Sequence, residues 1–541
     1  MEGSSGRPPP LPLGEIHEHR NNNVTITNYI IAQTSELKVR QDEKKKFGEV
    51  FTPVSLIDEM LERLPHHVWK NKDYKWLDPA AGIGNFPMMV YRRLMIGLEQ
   101  AFPDPGTRSE HIIRNMLYMV EVNSTSCDKI EQTFGAAANL ISGSIIGCDI
   151  RFNDQTTTFD VIVCNPPYNA PQKSQGKPGG GSTLWNKFVD ESLDKWLIPG
   201  GYMTFVHPSG WRKPPSECSR IKHMFDIMVH KNYMSYLKIH NKCSGANIFG
   251  AQTRFDFYVI QKRTPTHGEL TTVVDQEGHE TQLDLSTWAF LPNHSFDLIT
   301  GLLATTEQDY LIYSRCQYGT DKKNKSFVQQ SLPNETYPHP LIHTIIMSGP
   351  KIYGTNVKKT SPPMFGVPKI IMTESGIRNG VYPDPDGLYG MTQGAFGLKI
   401  PDPIDVEGPR MKNALESELF ARIVDAMSFG NFRVDRNMFH YFRWDFYKDP
   451  QFRGSPKIST ISISEYTKCD EGEDDDECEE ECEGGGGAAE MLPIKYTKTL
   501  TARPGPKGGG RTRRRRQHRT STIKFRKYRK QRHTRKKHRL Q

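Results

Sequence analysis

The chain has 541 residues, a mean hydropathy of −0.62 and a formal net charge of +9. It contains no run of about 18 apolar residues, which excludes a predicted membrane-spanning helix, and its N-terminus lacks the basic start and apolar stretch of a secretory signal. Its nine cysteines show no disulfide-framework spacing, so we expect free thiols and an intracellular, reducing compartment.

The first half of the chain has the pattern of a parallel sheet. Residues 1–40 are rich in proline and polar side chains and are treated as an N-terminal extension. From residue 41 to residue 263, apolar runs alternate with amphipathic segments, as is typical of βαβ units. The predicted strands are "YKWLDPA", "MLYMVEVN", "VIVCN", "GYMTFVHP" and "FDFYVIQK". A helix is predicted in "TLWNKFVDESLDKWLIPGG", ended by Pro199-Gly200-Gly201.

A small-residue turn follows the first predicted strand. In "LDPAAGIGNF" the strand ends in Asp78, and the turn opens onto a helix. Gly82 and Gly84 allow backbone to approach a ligand closely, and the helix N-terminus offers free N–H groups. In a doubly wound sheet this point faces the ligand crevice. The stretch therefore indicates either a cofactor turn or an ordinary strand–helix turn, and its glycine spacing departs from the dinucleotide fingerprint.

Two further acids stand where ligands of a nucleoside are expected. Glu121, in "YMVEVN", ends the next predicted strand, where a carboxylate can accept both hydroxyls of a ribose. A solvated loop glutamate is the alternative. In "SIIGCDIRF" a short strand is again predicted to end in an acid, Asp149, and Ile150 or Phe152 would pack on an adenine ring.

The strand "VIVCN" is followed at once by Pro166, Pro167 and Tyr168. The prolines fix the backbone and remove two N–H donors, which leaves the Asn165 side-chain oxygen and nearby carbonyls as acceptors. Two acceptors can hold the hydrogens of a planar amine or amide and expose its nitrogen lone pair. Tyr168 offers a face for stacking, worth ~1–3 kcal/mol per base. The stretch therefore predicts a site that binds a planar amine or amide as the methyl acceptor. The alternative is an ordinary proline-rich loop.

Together these motifs resemble the gamma-class N6-adenine DNA methyltransferases of type II and type IIG restriction–modification systems. The resemblance covers residues 48–263, with "FTP" first, then the cofactor motif, then "NPPY". It implies S-adenosyl-L-methionine as cofactor, double-stranded DNA as partner, and no metal. It implies that the cofactor is bound by Phe51, Thr52, Pro53, Asp78, Ala80, Gly82, Gly84, Glu121, Asp149 and Ile150. It implies catalysis by Asn165, Pro166, Pro167 and Tyr168, with the base stacked between Tyr168 and Phe249.

Two other classes of function stay open. "NPPY" also occurs in protein glutamine methyltransferases, so the alternatives are a protein glutamine or RNA amino-methyltransferase, and a non-enzymatic DNA-binding protein on a methylase fold. Residues 264–458 favour DNA, because their short apolar runs and one predicted helix, "NALESELFARIVDAMSF", resemble type IIG target-recognition domains. The predicted fold is therefore α/β: a doubly wound Rossmann-like methyltransferase domain at 41–263, followed by a mixed α+β target-recognition domain at 264–458.

The end of the chain is strongly charged. Residues 459–510 are predicted to be an acidic and then glycine-rich linker, with 11 Asp and Glu in residues 469–483. Cys478 and Cys482 lie in this acidic run without a nearby histidine, so no metal site is predicted there. Residues 511–541 carry 16 Lys and Arg and no Asp or Glu, and removing them leaves the remainder net acidic. We expect this tail to be disordered, to bind nucleic-acid phosphates without sequence preference and to serve as a nuclear import signal. It suggests a eukaryotic or eukaryotic-virus setting, hence a nucleus or viral DNA compartment. The glycine-rich residues 170–183 are interpreted as a mobile loop.

Overall fold

The computed structural model describes residues 52–458 except 153–154, 171–182, 216–218, 220, 315–316, 321–325, 378 and 430–433. The predictions for Phe51, the N-terminal extension, most of the glycine-rich loop, the linker and the basic tail lie outside these residues. Within the described part, none of the helices combines the length and apolar character needed to span a membrane. Cys127, Cys148 and Cys164 are free thiols, whereas Cys243 is disulfide-bonded, so the expectation of free thiols is wrong at that position.

The secondary structure of the described part alternates between strands and helices up to β9 and is rich in strands after it. The α-helices are α1 (Val54–Glu62), α2 (Asn85–Gly97), α3 (Pro105–His111), α4 (Ser124–Phe134), α5 (Trp185–Glu191), α6 (Lys242–Phe249), α7 (Phe296–Leu302), α8 (Ile404–Leu415) and α9 (Glu418–Ala426). The strands are β1 (Trp76–Asp78), β2 (Leu117–Glu121), β3 (Asn139–Ser142), β4 (Arg151–Phe152), β5 (Gln155–Thr156), β6 (Phe159–Cys164), β7 (Leu197–Pro208), β8 (Tyr233–His240), β9 (Phe255–Gln261), β10 (Thr271–Val274), β11 (Glu280–Leu283), β12 (Leu311–Ile312), β13 (Val328–Gln329), β14 (His339–Ile346), β15 (Gly349–Thr355), β16 (Lys369–Thr373), β17 (Tyr382–Asp384), β18 (Gly390–Met391) and β19 (Ala395–Lys399). Short 3₁₀ or π turns cover His66–Trp69, Ile112–Met116, Ser192–Trp196, Ser209–Arg212, Asp226–His230, Leu285–Thr287, Arg436–His440, Phe446–Lys448 and Pro450–Phe452.

A nine-stranded sheet has the order β11-β10-β8-β9-β7-β6-β1-β2-β3. Strands β3, β2, β1, β6 and β7 run parallel, and β9 is antiparallel to both of its neighbours, β7 and β8. It follows that β8 runs in the same direction as β7. The carboxyl ends of β1, β2, β6, β7 and β8 therefore meet at one edge of the sheet, called here the carboxyl edge.

The central strands are predictable because both of their faces are buried. In β1, Leu77 packs into one hydrophobic cluster and Trp76 into another, and Val120 and Met119 of β2 alternate in the same way. Helices α1 and α2 contribute to the cluster of Trp76, whereas α5 contributes to the cluster of Leu77. Burial on both faces gives continuous apolar runs in the sequence. The predicted α/β class with a largely parallel sheet is thus confirmed.

Two helix predictions are wrong in detail. Helix α5 passes into a π turn, and β7 already begins at Leu197, so Pro199-Gly200-Gly201 lies inside the strand and does not end the helix. The single helix predicted in "NALESELFARIVDAMSF" is two helices, α8 and α9. Buried Ser417 lies between them, and its side-chain oxygen accepts a hydrogen bond from the Phe420 N–H, which starts a new helix in place of continuing the old one.

The main sheet continues beyond residue 263. Strand β10 pairs with β8 and β11 pairs with β10, so the sheet ends near residue 283. Two four-stranded sheets follow, with the orders β12-β19-β16-β17 and β13-β15-β14-β18. Buried residues of α8 and α9, such as Met411 and Phe420, belong to the same cluster as Leu77 of the main sheet. The division of the chain at residue 263 stays a prediction.

Candidate active site

Three predicted site residues are brought together by the strand order. Strand β1 lies between β2 and β6 and is parallel to both, with Trp76 opposite Leu117 and opposite Val161. Asp78 and Glu121 are the last residues of β1 and β2, and Asn165 directly follows β6. Residues from three distant parts of the sequence therefore lie side by side at the carboxyl edge.

The Glu121 carboxylate fixes the small-residue turn. Its Oε2 accepts a hydrogen bond from the Gly82 N–H at 2.7 Å, and its Oε1 accepts from the N–H groups of Val122 and Asn123 at 2.8 and 2.7 Å. An ionised carboxylate is an acceptor only, so Glu121 presents negative charge and acceptor oxygens to this edge of the sheet. Glu121 is buried, and its contact with the Gly82 N–H joins the two motifs predicted to bind the cofactor.

Both glycines of the turn adopt left-handed backbone conformations. Gly82 has φ +55° and Gly84, the N-cap of α2, has φ +91°. A Cβ atom built on Gly82 would meet no atom of the described residues within 4 Å, whereas one on Gly84 would lie 3.4 Å from Ile130. Within the described part of the chain, open space therefore borders Gly82, three residues before α2 begins, where the first N–H groups of a helix have no partner inside it. This arrangement fits a polar ligand that approaches the backbone closely.

Asp78 is a buried carboxyl beside Glu121. Its Oδ1 accepts a hydrogen bond from the Ala80 N–H at 3.1 Å, and the residue is 2% exposed. Burial raises the pKa of Asp78 to about 8, and the neighbouring Glu121 charge acts in the same direction, against the opposing hydrogen bond from Ala80. Burial likewise raises the pKa of the adjacent Cys164 thiol. A cation bound at this edge would favour the ionised form of Asp78.

The raised pKa of Asp78 predicts a pH-dependent stability. Because the folded-state pKa of about 8 exceeds the ordinary value of 3.8, the native state binds more protons than the unfolded state between these two values. The free energy of unfolding should therefore fall as the pH rises through this window, by at most about 1.4 kcal/mol per pH unit. Asp78→Asn removes the effect, so the variant should gain stability relative to wild type by a few kcal/mol, on the order of 1–4, between pH 5 and pH 8 in urea unfolding.

A surface aspartate provides the control for this measurement. Hydrogen bonds from Thr107 hold the pKa of Asp104 below its usual value, so Asp104 does not titrate between pH 5 and pH 8. Asp104→Asn should keep a constant stability difference from wild type over that interval. A constant difference for Asp78→Asn as well would show that Asp78 is already ionised at pH 5.

Thr52 links the first and last of the predicted motifs. The Asn165 Nδ2 donates a hydrogen bond to Thr52 Oγ1 at 2.8 Å, across 113 positions of sequence. Asn85, at the start of α2, donates from its Nδ2 to the Thr52 carbonyl at 3.4 Å. Because the amide nitrogen of Asn165 is held by Thr52, its amide oxygen is the atom that can accept from a substrate. Pro53 has extended backbone and precedes α1, and Pro166 is buried behind Asn165.

Tyr168 faces a second aromatic side chain, as predicted for Phe249. The two ring centroids lie 6.4 Å apart with an interplanar angle of 86°. Phe249 ends α6 and contacts Phe255 edge-on at 4.8 Å, and Phe255 stacks on His240 at 4.2 Å. The Tyr168 hydroxyl is buried and has no hydrogen-bond partner among the described residues, and burial raises the pKa of Tyr168. The structure thus places Phe249 beside Tyr168, while its role in base stacking stays a prediction.

Asp149 lies differently from the prediction. No strand ends at Asp149: β3 ends at Ser142, and β4 begins only at Arg151. Gly147, with φ +82°, turns the chain between these strands. The apolar pair before it, Ile145 and Ile146, resembles a strand in the sequence and led to the wrong prediction. Asp149 is exposed, whereas the adjacent Ile150 is buried in the hydrophobic core.

Three residues of this edge were not assigned a role from the sequence. Val122, directly after Glu121, is 60% exposed and offers an apolar surface next to the carboxylate. His207 and His240 lie at the ends of β7 and β8, and burial lowers the pKa of each to about 3, so both rings are neutral at physiological pH. An apolar residue directly after a strand-ending acid is a sequence signal that could have identified Val122 as a site residue. The burial of the two histidines depends on tertiary packing and has no such signal.

Comparison with known proteins points to restriction–modification methylases. Residues 92–243 match the Eco57I restriction-modification methylase family. An adenine-specific methylase of Mycoplasma pneumoniae is 36% identical over 236 residues, which cover 30% of this chain and 55% of the relative. The chain therefore spans little more than half the length of this curated relative. The predicted resemblance is confirmed over the matched residues, which include Glu121 and the "NPPY" stretch.

Two of the solved structures that the chain matches are restriction–modification enzymes. The M protein of the type I restriction enzyme EcoKI shares 14% identity, with 42% of this chain and 48% of that chain covered and a TM-score of 0.33. The ATP-dependent type ISP restriction-modification enzyme LlaBIII, bound to DNA, shares 13% identity, with 76% of this chain and 40% of that chain covered and a TM-score of 0.44.

Proposed function

We propose that this protein is a site-specific DNA methyltransferase that transfers a methyl group from S-adenosyl-L-methionine to the N6 amine of adenine. The observation that carries the proposal is the Thr52–Asn165 hydrogen bond. It orients the acceptor oxygen of the "NPPY" asparagine at the same edge where the Asp78 and Glu121 strands end. The match of residues 92–243 to restriction–modification methylases supports this assignment.

The residues present at the carboxyl edge fit the cofactor. The Glu121 carboxylate at the end of β2 is of the type that binds ribose hydroxyls, and Val122 offers an apolar surface to the adenine ring. Among the described residues, Gly82 borders open space in the turn before α2. Phe51, Thr52 and Pro53 would flank the methionine end, and the exposed Asp149 would hold the adenine, whereas Ile150 lies in the core. When bound, the cofactor supplies an electrophilic methyl group on a positively charged sulfur. The neutral His207 and His240 add no opposing positive charge to this edge.

The catalytic contribution of this chain is to position an amine and to polarise it. The target adenine must leave the base stack to reach the site. The Asn165 oxygen accepts one N–H of the exocyclic amine, and a backbone carbonyl of the proline pair accepts the other. These two hydrogen bonds draw the hydrogens away from the ring plane and leave the nitrogen lone pair free to attack. Tyr168 and Phe249 fix the plane of the base, so the rate gain comes from positioning and acceptor electrostatics.

The substrate class is argued from the rest of the chain. Besides β10 and β11, which complete the main sheet, residues 264–458 form two four-stranded sheets. We assign residues 41–263 as the doubly wound, Rossmann-like catalytic domain and 264–458 as the domain that reads the DNA. An intracellular compartment that holds DNA follows from this assignment. The protein glutamine and RNA alternatives need no domain that reads DNA. The non-enzymatic DNA-binding alternative would use the same domain and differs from the proposal in the absence of methyl transfer.

A single assay separates the alternatives. Purified protein is given cofactor with a tritiated methyl group together with duplex DNA, RNA and a protein mixture, and each fraction is counted and hydrolysed. We expect the label in DNA, as N6-methyladenine. Label in RNA or in glutamine would replace the proposed substrate, and no transfer to any fraction would favour the non-enzymatic alternative. Sequencing that detects N6-methyladenine would then give the recognition site.

A further inference from the structure

The β14–β15 hairpin ends in an exposed apolar tip. Its strands pair as far as Ile346 opposite Gly349, which leaves Met347 and Ser348 as the connection. Met347 is 96% exposed and Ile346 is 45% exposed. A flexible thioether and a branched alkyl chain thus stand together at the end of a two-stranded arm, where folding alone would favour polar residues.

The base of this hairpin is firmly packed. Leu341 and Ile342 of β14 and Tyr353 of β15 are buried in a cluster that includes residues of β16, β18 and β19. His343 of β14 also stacks on Tyr353, with ring centroids 4.6 Å apart. An isolated two-stranded hairpin is only marginally stable in water. Packing of the base against the rest of the domain therefore stabilises this hairpin and fixes the position of its tip.

Cations flank the arm with little opposing charge. Lys351, on β15, and Lys358, just after it, are exposed and form no ion pair within the described part of the chain. Each amine lies near an aromatic ring, that of Lys351 5.6 Å from Tyr353 and that of Lys358 5.3 Å from Phe365. Between residues 326 and 368 the sequence contains one acid, Glu335. The surface is therefore basic, with aromatic side chains interspersed.

We propose that the β14–β15 hairpin is a DNA-contacting arm, in which Met347 and Ile346 pack against bases in a groove and Lys351 and Lys358 bind the flanking phosphates. The inference rests on the proposed function, since it takes duplex DNA as the substrate. Methionine and isoleucine are among the side chains that proteins insert between base steps, and lysine–phosphate contacts provide affinity without sequence preference. A groove also explains why the apolar residues stand at the tip and the cations nearer the base.

Charge complementarity favours DNA over a protein partner. The centre of a protein interface is typically depleted of lysine, because an ammonium ion is costly to desolvate. Here Lys351 lies on the same hairpin as the apolar tip and Lys358 follows its base, and neither forms an ion pair within the described part of the chain. A phosphate backbone on either side of a groove supplies the missing negative charge.

The test is duplex binding by the full-length protein, measured by fluorescence anisotropy at several salt concentrations, with the steady-state kinetics of DNA methylation as a second readout. We expect Met347→Ala to weaken duplex binding at least about fivefold and to raise KM while leaving kcat and the salt dependence unchanged. We expect the double variant Lys351→Ala, Lys358→Ala to lower the slope of log K against log salt by about two, since each lost phosphate contact removes about 0.9. The control variants are Leu270→Ala and Lys70→Ala, at exposed positions elsewhere. Their duplex affinity, salt dependence and KM should equal those of wild type.

The two proposals fail in different ways. If the wild-type protein methylates DNA and both hairpin variants keep unchanged duplex binding and KM, the hairpin does not contact DNA. The methyltransferase assignment would then stand. Hairpin-dependent duplex binding without methyl transfer would support the arm and overturn the enzymatic assignment. Because Met347 is almost fully exposed, its replacement should leave the melting temperature unchanged, which excludes misfolding as the cause of an effect.

Discussion

Asn165→Ala is expected to lower methyl transfer to DNA by about two to three orders of magnitude while cofactor binding stays near wild type. The alanine removes the side-chain amide oxygen that the "NPPY" stretch offers to the exocyclic amine, and losing one preorganised hydrogen-bonding group of this kind costs about 10²–10³ in rate. The cofactor groups assigned to Glu121 and Gly82 do not contact Asn165 in this scheme. Calorimetric titration with the cofactor and single-turnover kinetics on duplex DNA separate the two effects.

Thr52 provides the matched test of orientation. Its hydroxyl accepts from Asn165 Nδ2, so Thr52→Val should release the amide and lower kcat about 10- to 100-fold, whereas Thr52→Ser should keep most of the activity. Near-normal methyl transfer by Asn165→Ala would show that the mechanism is wrong. Loss of cofactor binding in that variant would instead make Asn165 part of the cofactor site.

The parts of the site that could be predicted are those that depend on local sequence. Burial on both faces makes β1, β2 and β6 read as continuous apolar runs, and Asp78, Glu121 and Asn165 interrupt those runs where the strands end. Parallel strands share one edge for their carboxyl ends, so the meeting of these three residues follows from the pattern. The left-handed conformations of Gly82 and Gly84 agree with the small-residue turn that was predicted there.

The parts that could not be predicted depend on contacts between distant segments. The hydrogen bond from Asn165 to Thr52 joins residues 113 positions apart, and its direction is set by packing. Asp149 was misplaced because a short apolar run before an acid resembles a strand, although Gly147 turns the chain there. Strands β10 and β11 joined the main sheet because β8 left an edge for β10 to pair with, a requirement of the sheet that residues 264–283 do not themselves reveal.

Gly82→Ala is expected to weaken cofactor binding by at least about 100-fold with only a small loss of stability. The new methyl group would meet no atom of the described residues within 4 Å, and in our proposal the cofactor occupies that space. The left-handed backbone adds a strain of about 1 kcal/mol, which is common to any such glycine. Gly268→Ala is the control, because Gly268 has φ +77° and equally open surroundings in a loop before β10.

The pair of glycine variants separates backbone strain from occupancy of the site. Both should lower the melting temperature by a similar few degrees, since each places a Cβ on a left-handed residue. Only Gly82→Ala should raise the dissociation constant for the cofactor in calorimetric titration, because only there does the methyl group compete with a ligand for space. Equal affinities in the two variants would mean that the cofactor lies elsewhere along the carboxyl edge, and the role of Glu121 in fixing the turn would then be purely structural.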